Sequence, residues 1–157
     1  MPQRLIDVPI ESLPFVDEHS TTIAATPEEV WEALLGVTAE LGSGTGAGWL
    51  VRALGCAQSE HRGEAGRIGS TVPGFVVARA VRPAVLALMG EHRYSRYALI
   101  FTIAETPAGP IELKAETRAE FPGRSGALYR ALVISSRGHL LATRSILRSI
   151  RRRAEHG

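Results

Sequence analysis

Residues 111–153 read IELKAETRAEFPGRSGALYRALVISSRGHLLATRSILRSIRRR, and this stretch decides the architecture. Its first part alternates without a break. Ile111, Leu113, Ala115, Thr117, Ala119 and Phe121 share one side; Glu112, Lys114, Glu116, Arg118 and Glu120 share the other. A period of two marks a strand with one buried face and one face in solvent. Phe121-Pro122-Gly123 ends that strand, and a helical pattern runs from Ser125 to Arg153. One continuous helix of that length spans ~40 Å. It needs a broad surface to lie on, and the strands before it supply one. A curved sheet gripping a long helix encloses a space, and holding something in that space is the expected business of the chain.

The helix is expected to present two faces. Leu128, Leu132, His139, Ile146 and Ile150 fall in one narrow arc, flanked by Ala131, Ala142, Thr143 and Leu147. That is an amphipathic core face. Arg130, Arg137, Arg144 and Arg148 gather on another side, and Arg151, Arg152 and Arg153 extend the charge where cations suit the helix dipole. A nucleic-acid site would use such a stripe, but no aromatic platform accompanies it, and a solvated helix face explains it better. Ile134 and Leu141 lie near the arginines and are expected to be exposed.

Upstream, residues 17–25 read as a strand in which His19, Thr21 and Ile23 alternate with Glu18, Ser20 and Thr22. Thr26-Pro27-Glu28-Glu29 is a helix start, with a capping hydroxyl, a proline at the first position and a glutamate to complete the box. That helix carries Val30, Trp31, Leu34 and Leu35 to about Gly36. A second short helix is expected over 49–54. The intervening loop spaces Gly42, Gly44 and Ala47 as a dinucleotide fingerprint does, but without a strand before it and a helix after it; a flexible linker is the better reading. Strands are expected over 68–72, 75–81, 85–91, 95–105 and 111–121, joined by short Pro/Gly turns into an antiparallel meander. Residues 1–14, with three prolines, read as an N-terminal arm or a strap across another element, leaving 15–157 as one domain.

Composition fits a globular chain. Net charge is +2, and the basicity rests on arginine, since Lys114 is the only lysine. Cys56 stands alone, so no internal disulfide forms, which suits a reducing compartment. The opening residues have no apolar core of the signal-peptide kind, and no apolar run reaches the ~18 residues of a membrane span. A cytoplasmic location is the default expectation.

Two places carry candidate chemistry. The inner face of 111–121 narrows at Ala115, Thr117 and Ala119, so either a large neighbour or a cavity fills that volume. His139 stands in the apolar arc opposite, as a ligand contact, a proton-transfer group or a core histidine satisfied by one hydrogen bond. Gly138 beside it permits a bend or a close approach. The second place is Glu91-His92-Arg93-Tyr94-Ser95-Arg96-Tyr97, where arginine and tyrosine could hold a carbonyl or a developing oxyanion; a hairpin with cross-strand charge pairs is the plainer account. The histidines and the cysteine show no metal-ligand spacing, and no cofactor motif is present.

The order of elements and three quotable stretches carry a family resemblance. Residues 18–35 (EHSTTIAATPEEVWEALL), 91–101 (EHRYSRYALIF) and 116–139 (ETRAEFPGRSGALYRALVISSRGH) resemble the START-like, helix-grip superfamily (SRPBCC), which includes the plant pollen-allergen type and bacterial polyketide cyclases. The resemblance covers residues 15–153. It implies an α+β helix-grip fold: a curved antiparallel sheet around a long C-terminal helix, with two short helices after the first strand. It implies binding of a small hydrophobic molecule, lipid-like or polyketide-like, in a cavity lined by Leu113, Ala115, Thr117, Ala119, Phe121, Leu128, Leu132, His139 and Ile146. The alternatives are a cyclase or dehydratase using His139, Arg93 and Tyr94 in the same cavity, and a protein-interaction module using the outer helix face. No metal, cofactor or nucleic acid is expected, and a homodimer is left open.

Overall fold

The boundaries of the elements follow from local chemistry. Thr26 caps a helix: its hydroxyl accepts from the Glu29 amide at 3.3 Å, while the Glu29 carboxylate accepts from the Thr26 amide at 2.8 Å. This capping box, with Pro27 behind it, starts α1 (Pro27–Ala39). The computed structural model describes residues 5–41, 62–92, 95–135 and 137–157. Among them six strands form one sheet: β1 (Phe15–Ile23), β2 (Thr71–Val72), β3 (Phe75–Val81), β4 (Val85–His92), β5 (Ser95–Glu105) and β6 (Ile111–Glu120). Their order is β1-β6-β5-β4-β3-β2, with every neighbour antiparallel. Helices α2 (Gly123–Ser135) and α3 (Gly138–His156) follow. The expected helix over 49–54 and the glycine loop before it lie outside the described residues.

The sheet buries apolar groups on both faces. On the inner face Ile23, Phe75, Val77, Leu86, Leu88, Leu99, Phe101, Ile103, Ile111, Leu113 and Ala115 pack with Val30, Trp31 and Leu34 of α1 and Ile146, Leu147 and Ile150 of α3. On the outer face Val76, Ala87, Met89 and Ala98 are covered by Leu5, Ile10 and Leu13 from the N-terminal arm. Arg118 fastens that arm by donating to the Leu13 carbonyl at 3.1 Å, and Arg79 pairs with Glu11 at 2.8 Å. The outer face of β6, expected in open solvent, is accordingly only half-exposed: Lys114 faces Glu18, Arg118 pairs with Glu116, and Arg96 with Glu120.

Two bulges bend the sheet. Val16 is an extra residue in β1 between the pairs Phe15–Arg118 and Asp17–Thr117, and Ala78 is one in β3. At the far end Tyr97 lies across Gly90 and donates to the Gly74 carbonyl at 3.0 Å, with its ring edge-on to Phe75. A Cβ at position 90 would stand 2.3 Å from the Tyr97 ring, so only glycine admits this crossing. The C-terminal turns of α3 lie on α1. Arg153 passes over Gly36 to reach Glu40 at 2.7 Å, and Glu155 accepts from the Ala24 amide at 3.1 Å.

Three expectations change. The strand expected from Ile68 begins at Thr71, because Gly69 turns the chain with φ of 85° and leaves Ile68 exposed. The first strand lies two residues earlier than expected, since Ala24 and Ala25 are spent on the turn into the Thr26 cap. The single helix over 125–153 is two helices, with Arg137 in the left-handed region (φ 56°, ψ 8°) at the start of α3. The break separates the phases of the two helices, so the apolar arc does not run through: Ile146 and Ile150 are buried, whereas Leu128 is 66% exposed.

Two substitutions test these features. Leu13→Ala removes a fully buried side chain of the arm and is expected to cost about 2–4 kcal/mol in urea unfolding; an unchanged midpoint would mean that the arm does not cover the sheet. Arg137→Gly distinguishes a break from a bend. In a continuous helix it would destabilise by about 1 kcal/mol, whereas at a left-handed position it is expected to be neutral or stabilising.

Candidate functional site

The start of α3 lies against β1, so two sequence-distant segments meet. Asp17 alternates in step with His19, Thr21 and the buried Ile23, so it faces inward beside Thr117 on β6, and His139 sits in the first turn of α3. His139 Nε2 lies 2.8 Å from Asp17 Oδ2, and His19 Nε2 lies 3.2 Å from the same oxygen. With Nε2 protonated, both rings donate to that oxygen, and Nδ1 of His139 is left as an acceptor. A carboxylate at the first turn of a helix is also favoured by the unpaired amides there. All three side chains are largely covered, each about one-fifth exposed.

The cluster is incompletely satisfied. Asp17 Oδ1, Thr117 Oγ1 and His139 Nδ1 are buried without a hydrogen-bond partner among the described residues. Burial alone would raise the Asp17 carboxyl. Hydrogen bonds from His139 and His19 outweigh it and hold the group below its ordinary value of 3.8. Thr117 acts in the same direction, although its hydroxyl is not aligned for a full hydrogen bond.

The other expected site residues divide along β6. Leu113 and Ala115 are buried within the packed inner core together with Ile146, so protein fills the volume beside Ala115. Thr117 and Ala119 lie beyond that cluster, toward Asp17 and His139. Phe121 is half-buried just past the strand. Leu128 points away, and the side chain of Leu132 lies outside the described residues, as do Arg93 and Tyr94. Within the polar stretch 91–97, Arg96 is on the outer face with Glu120 at 2.9 Å and Glu91 at 3.6 Å, and Tyr97 is committed to Gly74. Asp17 was not among the expected residues. Its alternation with His19, Thr21 and Ile23 places it on the inward side, and that period of two is the signal that could have found it. Among the described residues no group of acids, histidines and cysteine is disposed to hold a metal ion, and no helix is long and apolar enough to cross a membrane.

The depressed Asp17 value has a consequence in acid. The charged carboxylate contributes its full stability above 3.8, and the contribution falls away as pH drops through the lower folded value. Asp17→Asn is therefore expected to be less stable than wild type at pH 7. The difference should shrink as the pH approaches about 2. Urea titrations at both pH values measure it, and a constant difference would refute the role of the charge.

Comparison with known proteins places this geometry on a known scaffold. No family model matches the sequence, and no curated protein matches it. Solved structures do match. Truncated norcoclaurine synthase from Thalictrum flavum aligns with a TM-score of 0.58 at 13% identity, over 93% of this chain and 98% of that one. A protein from Rhodobacter sphaeroides aligns at 0.54 and 20% identity, over 85% and 87%. A protein from Bacillus halodurans aligns at 0.51 and 19% identity, over 88% and 97%. With the sheet order and the C-terminal helices described above, these alignments establish that the chain has the START-like, helix-grip fold.

Proposed function

We propose that the protein binds a small, mainly apolar molecule on the inner face of the sheet, at the end bounded by Asp17, Thr117, Ala119 and His139. The observation that supports this is the set of unpartnered buried atoms at that end: Asp17 Oδ1, Thr117 Oγ1 and His139 Nδ1. A buried polar atom without a partner costs about 1–3 kcal/mol, and three in one place suit a ligand that brings a polar group to them. The small side chains of Thr117 and Ala119, beyond the packed core, suit the apolar remainder. Most of a ligand site is apolar, with a few converging polar groups that set orientation.

A second reading is an enzyme of the cyclase or dehydratase kind in the same place. One observation favours it: His139 is oriented through Nε2 by a carboxylate while Nδ1 stays uncommitted, the arrangement of an oriented proton-transfer group. Enolisation or dehydration of a poly-β-ketone needs such a group.

The neutral apolar fluorophore N-phenyl-1-naphthylamine separates these readings from a filled core. Wild type is expected to enhance its fluorescence. Ala119→Phe and Thr117→Leu, each checked for retained circular dichroism, are expected to abolish the enhancement. Enhancement that survives both, or none in wild type, would overturn the interior site. His139→Gln should keep probe affinity within about tenfold for a carrier. For an enzyme it should also lower turnover of a poly-β-ketone by roughly 10²–10⁴.

A further inference from the structure

A recess lies beside β1. It is an open cleft of about 500 Å³ between that strand and α3, lined by His19, Ser20, Thr21, Leu141, Arg144, Leu147 and Arg148. β1 is an edge strand, and α3 borders it there. His19 of the polar cluster lines it, whereas Asp17, Thr117, Ala119 and His139 do not. Its size is that of a small-molecule site rather than a surface dimple.

The cleft has a lopsided chemistry. Arg144 and Arg148 stand one helical turn apart, both exposed, and Arg148 Nε is held on the Arg144 carbonyl at 3.3 Å. Several arginines of this fold meet acids, Arg79 with Glu11, Arg82 with Glu28 and Glu32, Arg151 with Glu155, and Arg153 with Glu40. Arg144 and Arg148 have no carboxylate partner among the described residues. Like charges at this spacing repel one another and weaken the helix slightly. Beside them are Leu147, which reaches into the core, and Leu141, which is 62% exposed. Hydroxyl-bearing Ser20 and Thr21 form the opposite wall.

From this we infer that the β1–α3 cleft binds an amphiphilic organic anion. Its carboxylate or phosphate lies between the Arg144 and Arg148 guanidinium groups, and its apolar body lies along Leu141 and Leu147. Guanidinium groups pair with either anion through two parallel hydrogen bonds. The anion removes the mutual repulsion of the two cations, and the chain covers an otherwise exposed leucine. The two sites adjoin through His19, which lines this cleft and shares the Asp17 carboxylate with His139, but variants at Leu141, Arg144 and Arg148 leave Thr117, Ala119 and His139 untouched.

Calorimetric titration of the full chain with decanoate, decyl phosphate and decanol, all below micelle formation, tests the inference. Both anions are expected to bind, and decanol to bind far more weakly. Whichever anion binds tighter names the head group. Arg148→Gln is expected to weaken the anions about tenfold, and Arg144→Gln with Arg148→Gln to weaken them further; circular dichroism should be unchanged, since both side chains are exposed. Leu141→Glu should also abolish binding, while Ala119→Phe should not affect it. Equal affinity in wild type and the double variant, or loss on Ala119→Phe, would overturn the inference. So would binding to vesicles of anionic phospholipid without binding of either soluble anion.

Discussion

A sheet with apolar groups on both faces must be covered on both, and the whole arrangement answers to that requirement. The inner face is met by α1 and α3, the outer by an arm that crosses β3, β4 and β5. The coverings differ in kind. Helices supply broad ridges that fill a concave surface, whereas residues 5–13 supply a few anchors, Leu5, Ile10 and Leu13, held by arginine contacts to backbone and acid. Bulges in β1 and β3 set the curvature that lets two helices close the inner side. Along the inner side of β6 the large Leu113 gives way to the small Ala115, Thr117 and Ala119.

At that end Asp17 acts as a joint. One carboxylate oxygen gathers a histidine from its own strand and one from α3, and so ties the edge of the sheet to the start of a helix. The helix can begin there because Arg137 takes a left-handed conformation immediately before Gly138. A polar joint within an otherwise apolar seam contributes little net stability but constrains geometry closely. That is the property a binding or proton-transfer site needs.

Much of the fold was legible in the chain because local and tertiary preferences agree. The alternation of 111–120 ran along one strand, Thr26–Glu29 formed its capping box, and the Pro/Gly turns fell between strands. The boundaries of β3, β5 and β6 matched within a residue. Departures came where a tertiary contact overrode a local pattern. Leu128 fits an apolar arc only if the helix is unbroken, and nothing in SSRG at 135–138 distinguishes a break from a bend. Phe75-Val76-Val77 and Val85-Leu86-Ala87-Leu88-Met89 are continuous apolar runs, the signature of strands buried on both faces. That signal announces a cover over the outer face, and the arm is that cover. Of the site, His139 was readable as an odd member of an apolar arc. Asp17 was readable only in direction, by its alternation with His19, Thr21 and Ile23; its meeting with His139, far along the chain, depends on where α3 begins.

The pairing of β1 with β6 joins residues 15–23 to residues 111–118, and the arm before β1 docks on strands made some 65 to 90 positions later. Such contacts are almost all long-range, so loop closure has to precede most of the reward for making them. On a ribosome, β1 and the arm emerge first and wait for their partners, with Leu13 and Ile23 uncovered in the meantime. The meander β3–β4–β5 forms its hairpins locally and can assemble while the rest is still being made. Contact order thus favours assembly from the middle of the sheet outward, with the arm among the last segments to dock.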